Sequence, residues 1–407
     1  MHHKQRQMYV GIDLHKHHHT AVIINCWHEK VGEIQFENKP AAFTDFLIWV
    51  RQHVPEMMTP VFGLEDVGGY GRALASFLVD HGQTVKEVNP ALSYAERNSY
   101  PTVQKSDSWD AECIARVLVN KLDRLPHVQP KELYWTIKQL VTRRNALVKA
   151  QTTLKNQLHV QLSYHYPSYK KFFAKIDGKT ALAFWDQYPS PLCLEGITVE
   201  ELTNFLQTVS RNACSSRKAT EILEWIKTDG RTDQPYQQTR DFLVQSIVRE
   251  LNFKKQEIAQ IERELKVFMA SLNYQLETMP GIDTVTAAAL VAEIGEIERF
   301  SHADKLARYA GIAPVHVGSG GKGKDYKSKQ GNRTLHALLY QLAIQQIQVA
   351  KETKKPRNPV FYEYYQRKQK EGKTKGQARV CVMRRLVNVI YRMMKHKTAY
   401  EMPIRKE

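Results

Sequence analysis

Apolar and polar positions at the start of the chain alternate as they do in β-strands. Residues 8–14 (MYVGIDL) and 20–25 (TAVIIN) are rich in β-branched side chains and flank a short polar segment. Two such runs on either side of a polar turn predict a β-hairpin. A third run, residues 33–36, predicts a strand that extends the hairpin into a meander.

Helices and strands alternate in the next part of the chain. The pattern predicts a helix at 41–53, a strand at 61–65, a glycine-rich turn at 68–71, a helix at 72–81 and a strand at 84–88. Three sequential strands followed by this alternation are the element order of an RNase H-like sheet. An actin-like sugar kinase opens in the same way, but the sequence has no second phosphate-binding glycine-rich hairpin in the expected place.

From about residue 133 the apolar pattern becomes helical. Leucines recur every seven residues at Leu133, Leu140, Leu147 and Leu154. A second segment repeats apolar residues at alternating spacings of three and four, at Ile258, Ile261, Leu265, Phe268 and Leu272. Both repeats predict long helices that pair as a coiled coil or a helical hairpin. The aromatic-rich stretch between them, roughly 164–236, also reads as helical and carries no recognisable chemistry.

The last part of the chain predicts helices around a loop rich in glycine and lysine. Residues 276–300 indicate a short helix, a Pro-Gly turn and an amphipathic helix. This unit is either a helix-hairpin-helix that offers backbone amides to a DNA phosphate or a plain helical hairpin. A helix at 303–310, the loop at 317–332 and a helix at 335–350 follow.

Length and pattern together predict three domains. A chain of 407 residues is too long for one typical core. We expect an α/β domain at 1–130, a helical coiled-coil middle at 131–275 and a mostly helical domain at 276–407. The predicted fold class is therefore α/β plus α.

Charge is the unusual property of the composition. Lys and Arg total 59 against 42 Asp and Glu, which leaves a net charge of +17 and a pI near 9.5. Residues 351–407 alone hold 17 Lys/Arg and 5 Asp/Glu, a net +12. Such an excess favours a polyanionic partner. Four aromatic residues within this segment either stack on bases or pack inward against a solvated basic helix, and they are Phe361, Tyr362, Tyr364 and Tyr365.

The rest of the composition favours a nucleic acid in the cytoplasm over a membrane. The sequence contains no apolar run long enough to span a bilayer and no lipidation signal. Its five cysteines are scattered and form no CxxC pair, so they indicate neither a zinc site nor a disulfide framework.

Four acidic residues form the strongest candidate site. Phosphoryl transfer by two metal ions needs several hard oxygen ligands that converge. Asp13 falls within an apolar strand, where a charge is costly unless it binds something, and Glu65 ends another strand. Asp107 and Asp110 are three residues apart, so a helix would project both from one face. Alternatively, Asp107 is only the N-cap of that helix and Asp110 a first-turn residue favoured by its dipole.

Neighbouring groups are weaker candidates. Asp66 and Glu112 point away from the faces that Glu65 and Asp110 imply. The run His15-Lys16-His17-His18-His19 suggests a metal site, but consecutive side chains alternate between faces. The run therefore favours titratable charge beside a phosphate over metal binding.

The loop at 317–332 offers a hydroxyl among glycines and cations. It matches the GxxxxGK of a P-loop, but Asp325 replaces the Ser or Thr that would hold magnesium, which argues against ATP binding. Glycines flank Ser319, and cations beside a hydroxyl stabilise the charge on a phosphate under attack. Ser328 is a rival nucleophile in the same loop. The nearby cations are Lys322, Lys324, Lys327, Lys329 and Arg333.

Several of these segments resemble one protein family. GIDLHK, LEDVGGYG and KSDSWDAECIA resemble the DEDD signature of IS110-type transposases. PGIDTVTAAALVAEIGEIERF, YAGIAPVHVGSGGKGK and KSKQGNRTLHALLYQLA resemble the C-terminal transposase domain of the same family. The resemblance covers both ends of the chain in the right order and spacing. It departs from the family at Asp66-Val67, where a small residue and Thr are usual.

The resemblance implies a RuvC-like N-terminal domain in which Asp13, Glu65, Asp107 and Asp110 bind Mg²⁺. It also implies that Ser319 attacks DNA and forms a transient phosphoserine link. Members of the family are guided by a bridge RNA that pairs with donor and target DNA. They work as homo-oligomers, here expected as dimers that assemble to a tetramer, in which domains of different subunits complete one active site.

The expected function is therefore a magnesium-dependent DNA transposase, or recombinase, of an insertion sequence. Two other functions fit the same residues. In a RuvC-like structure-specific endonuclease, the carboxylates activate water and Ser319 only binds phosphate. In a non-catalytic nucleic-acid-binding protein, the carboxylates are helix caps and unusual core residues.

Overall fold

The computed structural model describes residues 3–65, 69–101, 106–128, 130–319, 322–326, 328 and 330–402, with the backbone alone described at 317, 319, 322 and 325. The chain divides into two compact units, Met1–Trp135 and Thr136–Glu407. Within the described ranges, each helix is too short or too polar to cross a membrane.

The first unit contains a mixed β-sheet. Its strands are β1 (Gln7–Leu14), β2 (His18–Ile24), β3 (Lys30–Glu37), β4 (Thr59–Leu64) and β5 (Thr84–Glu87). Their order across the sheet is β3-β2-β1-β4-β5. β2 pairs antiparallel with β1 and β3, whereas β4 is parallel to both β1 and β5. The predicted hairpin, the meander and the two later strands are confirmed, with small shifts at their ends.

Helices cover both faces of this sheet. They are α1 (Pro40–His53), α2 (Arg72–Asp80), α3 (Pro90–Arg97) and α4 (Asp107–Lys121). Val10 and Ile12 of β1 pack with α1 and α2, whereas Tyr9 packs with α4 on the opposite face. Burial on both faces explains why β1 is apolar at nearly every position.

Gly11 lets α4 lie directly against β1. A Cβ atom at this position would overlap the backbone of α4 at Ala111. Gly63 permits a similar approach to β4, but a Cβ there would meet only side chains, with Cδ1 of Leu118 at 2.9 Å and Cγ2 of Ile114 at 3.0 Å. These close approaches hold the first turn of α4 near the end of β1.

We expect Gly11→Ala to lower the free energy of unfolding by about 3 kcal/mol, because the backbone of α4 has to move. Gly63→Ala should cost about 1 kcal/mol, because the contacted side chains of Leu118 and Ile114 can adjust more easily than a helix backbone. Gly376→Ala is the control, since its methyl group would meet only the hydroxyl oxygen of Thr374, at an ordinary contact distance of 3.9 Å. Denaturant unfolding of the three variants measures the difference. Equal losses for Gly11→Ala and Gly63→Ala would contradict the close backbone approach.

The next helices along the chain are α5 (Glu132–His165), whose first turn still belongs to the first unit, and then, in the second unit, α6 (Lys179–Gln187), α7 (Val199–Ser210), α8 (Ser216–Asp229) and α9 (Gln237–Leu272). The two long helices, α5 and α9, carry the predicted repeats, and Leu154 and Ile261 are among their buried members. Arg144 of α5 pairs with Glu262 of α9 at 2.9 Å, and Leu158 shares a core with Val248. The two helices therefore run antiparallel as a hairpin.

The C-terminal part contains α10 (Thr284–Ile294), α11 (Ala303–Tyr309), β6 (Val315–Ser319), β7 (Lys322–Tyr326), α12 (Arg333–Ile347), α13 (Pro359–Lys370) and α14 (Lys375–His396). Two expectations were wrong in detail. α10 is not amphipathic, because residues 287–291 are all buried between α9 and α12. The segment 317–332 is not a plain loop, because β6 and β7 pair as an antiparallel hairpin. Two glycines separate the strand segments in the sequence, a composition typical of hairpins, and this signal was missed.

Candidate active site

Asp13 and Glu65 lie at neighbouring strand ends. Ile12 pairs with Leu64 in the parallel register of β1 and β4, so Asp13 and Glu65 are the next residues along the two strands. The Asp13 side chain is 18% exposed, and Glu65 is half-buried. Two carboxylates therefore meet at one edge of the sheet.

Asp107 and Asp110 occupy the first turn of α4. The N-cap of this helix is Ser106, whose hydroxyl accepts a hydrogen bond from the backbone nitrogen of Trp109 at 3.1 Å. The alternative in which Asp107 serves as the N-cap is therefore wrong. Because α4 rests on β1 at Gly11, this turn lies close to Asp13.

His15 joins the carboxylates at the end of β1. One ligand atom each from Asp13, His15 and Asp107 lie within 4.8 Å of one another, a spacing suited to a metal ion. Nδ1 of His15 lies 3.4 Å from Oδ2 of Asp13. The sequence argument disfavoured the histidine run as a metal site, and it thereby missed His15. The signal available was its position two residues after Asp13, at the point where the strand ends and the chain can turn back.

The carboxylates act on one another electrostatically. Burial raises the pKa of Asp13 to about 6; His15 opposes the shift, whereas Asp110, Asp107 and Glu65 add to it. Like charges in a partly buried site are unfavourable unless a cation balances them. Among the described residues, Asp13 Oδ2 is buried without a hydrogen-bond donor. The arrangement fits a divalent cation bound by hard oxygen ligands.

Arg97, at the end of α3, contacts the same group. Its Nη1 donates a hydrogen bond to Oδ2 of Asp110 at 3.1 Å and lies 3.0 Å from Oδ1. The two side chains are only 26% and 17% exposed. Arg97 therefore balances part of the negative charge, a role that no local sequence pattern indicated.

His19 is the buried member of the histidine run. Its ring packs against Phe36 and Phe43, with centroid separations of 5.5 and 6.4 Å. Its Nδ1 accepts a hydrogen bond from the backbone nitrogen of His15 at 3.3 Å. Burial lowers the pKa of His19 to about 4, so the ring is neutral at physiological pH and its role is structural.

The contribution of His19 to stability is expected to fall as the pH drops from 6.5 toward 4, whereas the raised pKa of Asp13 acts in the opposite direction over the same range. In this window His19 takes up a proton in the unfolded chain but not in the folded one, which costs up to about 1.4 kcal/mol for each pH unit. His19→Gln should reduce the slope by that amount, and the exposed His18→Gln should not. Denaturant titrations at several pH values measure the slope. The same slope in His19→Gln and the wild type would contradict the assignment.

Ser319 is the last residue of β6, and its backbone pairs with Lys322 on β7. Lys324 is exposed on β7, and Arg333 is the first residue of α12 and also exposed. The structure therefore places a serine on a strand of a short hairpin whose partner strand carries cationic residues. Two more of the predicted cations, Lys327 and Lys329, lie outside the described residues.

The base of this hairpin is closely packed. Gly311 and Gly331 have φ angles of +66° and +113°, and a Cβ on Gly331 would lie 2.7 Å from Cα of Gly311. The side chain of Asn332 caps α12 directly afterwards. The hydroxyl of Ser328 is engaged within its own turn, where it donates to the carbonyl of Gln330 at 3.1 Å. Close backbone packing between Gly311 and Gly331 therefore fixes the base of the hairpin, and the Ser328 hydroxyl is already hydrogen-bonded to Gln330.

The aromatic residues of the basic segment fall into two groups. Phe361 is buried, as the inward-packing alternative expects. Tyr364 is half-buried, and the guanidinium groups of Arg367 and Arg385 lie 5.2 and 4.9 Å from its ring centre. α13 and α14 therefore combine an apolar core with a cationic outer surface.

Two family models match opposite ends of the chain. A DEDD-type IS110 model, described as a transposase, matches residues 10–167, and a model of the IS116/IS110/IS902 transposase family matches residues 273–366. An IS116 insertion-element protein of Streptomyces clavuligerus is 27% identical over 400 residues, which cover 97% of this chain and 96% of the relative. A pilin gene-inverting protein of Moraxella lacunata is 24% identical over 395 residues, 97% of each chain.

These findings define an enzyme that moves or rearranges DNA, a transposase or recombinase. The DEDD-type domain, together with the ligand group at Asp13, indicates dependence on a divalent metal. The chain belongs to the IS110 family of transposases. The enzyme class and the family predicted from the motifs are thus confirmed.

Proposed function

We propose that this transposase cuts and rejoins DNA through a phosphoserine link on Ser319, with Mg²⁺ bound by Asp13, Glu65, Asp107 and Asp110. The observation that carries the proposal is the convergence of these carboxylates at one sheet edge, where Oδ2 of Asp13 is buried without a hydrogen-bond donor among the described residues. The strand order β3-β2-β1-β4-β5, with α4 packed on β1, supports a RuvC-like assignment for this domain.

The residues of the first unit bind and position the scissile phosphate in this proposal. Asp13 and Glu65 provide carboxylate oxygens at the sheet edge. Asp107 and Asp110, in the first turn of α4, provide the other two carboxylates. The metal, when bound, supplies positive charge that stabilises the phosphate under attack. Arg97 holds Asp110 in place and balances its charge.

Ser319 supplies the nucleophile. Its oxygen forms a bond to phosphorus, the bond from phosphorus to the leaving sugar oxygen breaks, and a proton passes from the serine to that oxygen through solvent. One phosphate ester replaces another, so a second strand end can reverse the step without ATP. The cations that we propose to bind the phosphate backbone are Lys322, Lys324, Lys327, Lys329 and Arg333.

We also propose a bridge RNA and a homo-oligomer as partners. The net +12 of residues 351–407 and the cation-flanked Tyr364 support binding of RNA together with donor and target DNA. Phe253 and Val267 on α9 are 54% and 68% exposed, which supports pairing of the long helices with a second copy. Dimers of this kind would assemble to a tetramer.

The test is direct capture of the covalent intermediate. The full-length protein is incubated with Mg²⁺, RNA transcribed from the DNA beside its gene, and labelled donor and target DNA, and the reaction is stopped in denaturant. We expect DNA attached to protein, and no adduct when either Mg²⁺ or the RNA is omitted. Cleaved ends without an adduct would instead support hydrolysis by a RuvC-like endonuclease.

Arg97→Gln is expected to tighten Mg²⁺ binding about tenfold, because the guanidinium group competes with the metal for Asp110. Calorimetric titration of the protein without nucleic acid measures this affinity. Arg51→Gln removes the same charge from an exposed position on α1 and serves as the control. An unchanged or weaker affinity in Arg97→Gln would show that Arg97 does not compete with the cation.

A further inference from the structure

A cavity of about 410 Å³ lies in the second unit between α13, α14 and the residues that follow α14. Its floor is apolar and includes the buried Phe361 and Met393 together with Val389. Tyr400 forms part of its wall. Ligand pockets have volumes from about 300 Å³ upward, so this cavity has room for one nucleotide unit.

The rim of the cavity is cationic. Arg385, Arg392 and His396 line it, and their spacing of seven and four residues places them on one face of α14. Within the described ranges, neither arginine forms an ion pair with a carboxylate. By contrast, Arg384 and Lys395 of the same helix do not line the cavity and are both ion-paired. The two rim arginines are thus not neutralised by a carboxylate of the described chain where an anionic ligand would enter.

A buried hydrogen-bond network holds the wall in place. Nδ2 of Asn358 donates to Oε1 of Gln346 at 2.9 Å and to the hydroxyl of Tyr400 at 3.0 Å. Asn358 and Gln346 are both fully buried. The backbone nitrogen of Tyr400 donates to the hydroxyl of Thr278 at 2.7 Å. The aromatic wall is therefore positioned before any ligand binds, which lowers the entropic cost of binding.

We propose that this cavity binds one unstacked nucleotide of a nucleic-acid strand. The base lies on the apolar floor beside Tyr400, and the phosphate contacts Arg385 and Arg392. Within the described part of the chain, Glu401 is the one carboxylate that lines the cavity. It accepts a hydrogen bond from an exocyclic amino group of the base. The inference rests on the proposed nucleic-acid-guided function and adds a site that holds a single nucleotide of RNA or DNA.

Binding of AMP and CMP to the full-length protein, followed by titration of nuclease-resistant RNA and DNA tetranucleotides, tests the proposal. Val389→Trp fills the cavity, and the double variant Arg385→Gln/Arg392→Gln removes its cations. We expect each to weaken mononucleotide binding about tenfold. The control, Arg384→Gln/Lys395→Gln, removes the same charge outside the cavity and should retain wild-type affinity. Thermal unfolding confirms that the variants fold.

Absence of mononucleotide binding in the wild type, or an equal loss in the control, would overturn the proposal. A preference for the RNA or the DNA tetranucleotide that is lost in Val389→Trp identifies the strand that supplies the nucleotide. Mononucleotide binding needs neither Mg²⁺ nor an intact Ser319. Failure of the covalent-capture experiment therefore leaves this result unaffected, and the two proposals fail separately.

Discussion

Asp13→Asn is expected to lower the rate of DNA cleavage by about a thousandfold, because it removes one charge from the metal-binding group at a largely buried position. The pairing of residue 13 with Thr20 is a backbone contact and remains. The free energy of unfolding should rise at the same time. Burial and the neighbouring carboxylates disfavour a charge at position 13 and raise the pKa of Asp13 to about 6, and Asn carries no charge. A loss of activity combined with a gain of stability distinguishes a functional carboxylate from a structural one.

Single-turnover cleavage of labelled DNA measures the rate, and thermal unfolding measures the stability. The matched control is Asp45→Asn, which makes the same change at an exposed position on α1. It should alter neither quantity. Near-normal cleavage by a well-folded Asp13→Asn variant would exclude Asp13 from the reaction.

Ser319→Ala is expected to abolish the protein–DNA adduct and to reduce joined product by about a thousandfold or more. The substitution removes only the hydroxyl at the end of β6, so the hairpin with β7 remains. Mg²⁺ affinity should stay at the wild-type value, because the carboxylates belong to the other compact unit. Denaturing gels of the quenched reaction separate adduct, cleaved DNA and joined product.

Ser328→Ala is the control for this prediction. The Ser328 hydroxyl is hydrogen-bonded to Gln330 within its own turn, so its loss should change the rate only modestly. An adduct that persists in Ser319→Ala but disappears in Ser328→Ala would assign the nucleophile to Ser328. An adduct that persists in both variants would exclude both serines.

Local sequence patterns predicted most of the elements correctly. Alternating β-branched residues indicated β1 and β2, and apolar spacings of three, four and seven indicated α5 and α9. These periods follow from the geometry of a single strand or helix, so they can be recognised without knowledge of the fold. The same reasoning placed Asp13 within an apolar strand and Glu65 at the end of another, since a charged residue in or beside an apolar run is visible in the sequence alone.

Tertiary packing decided which of these groups meet. Gly11 brings the first turn of α4 onto β1, and no periodicity in the sequence shows this approach. The same packing adds His15 to the carboxylates and pairs Arg97 with Asp110. Such contacts depend on strand register and on the distance between layers. The sequence therefore established the element types and the candidate acids, whereas the composition and charge balance of the site became visible only in the folded structure.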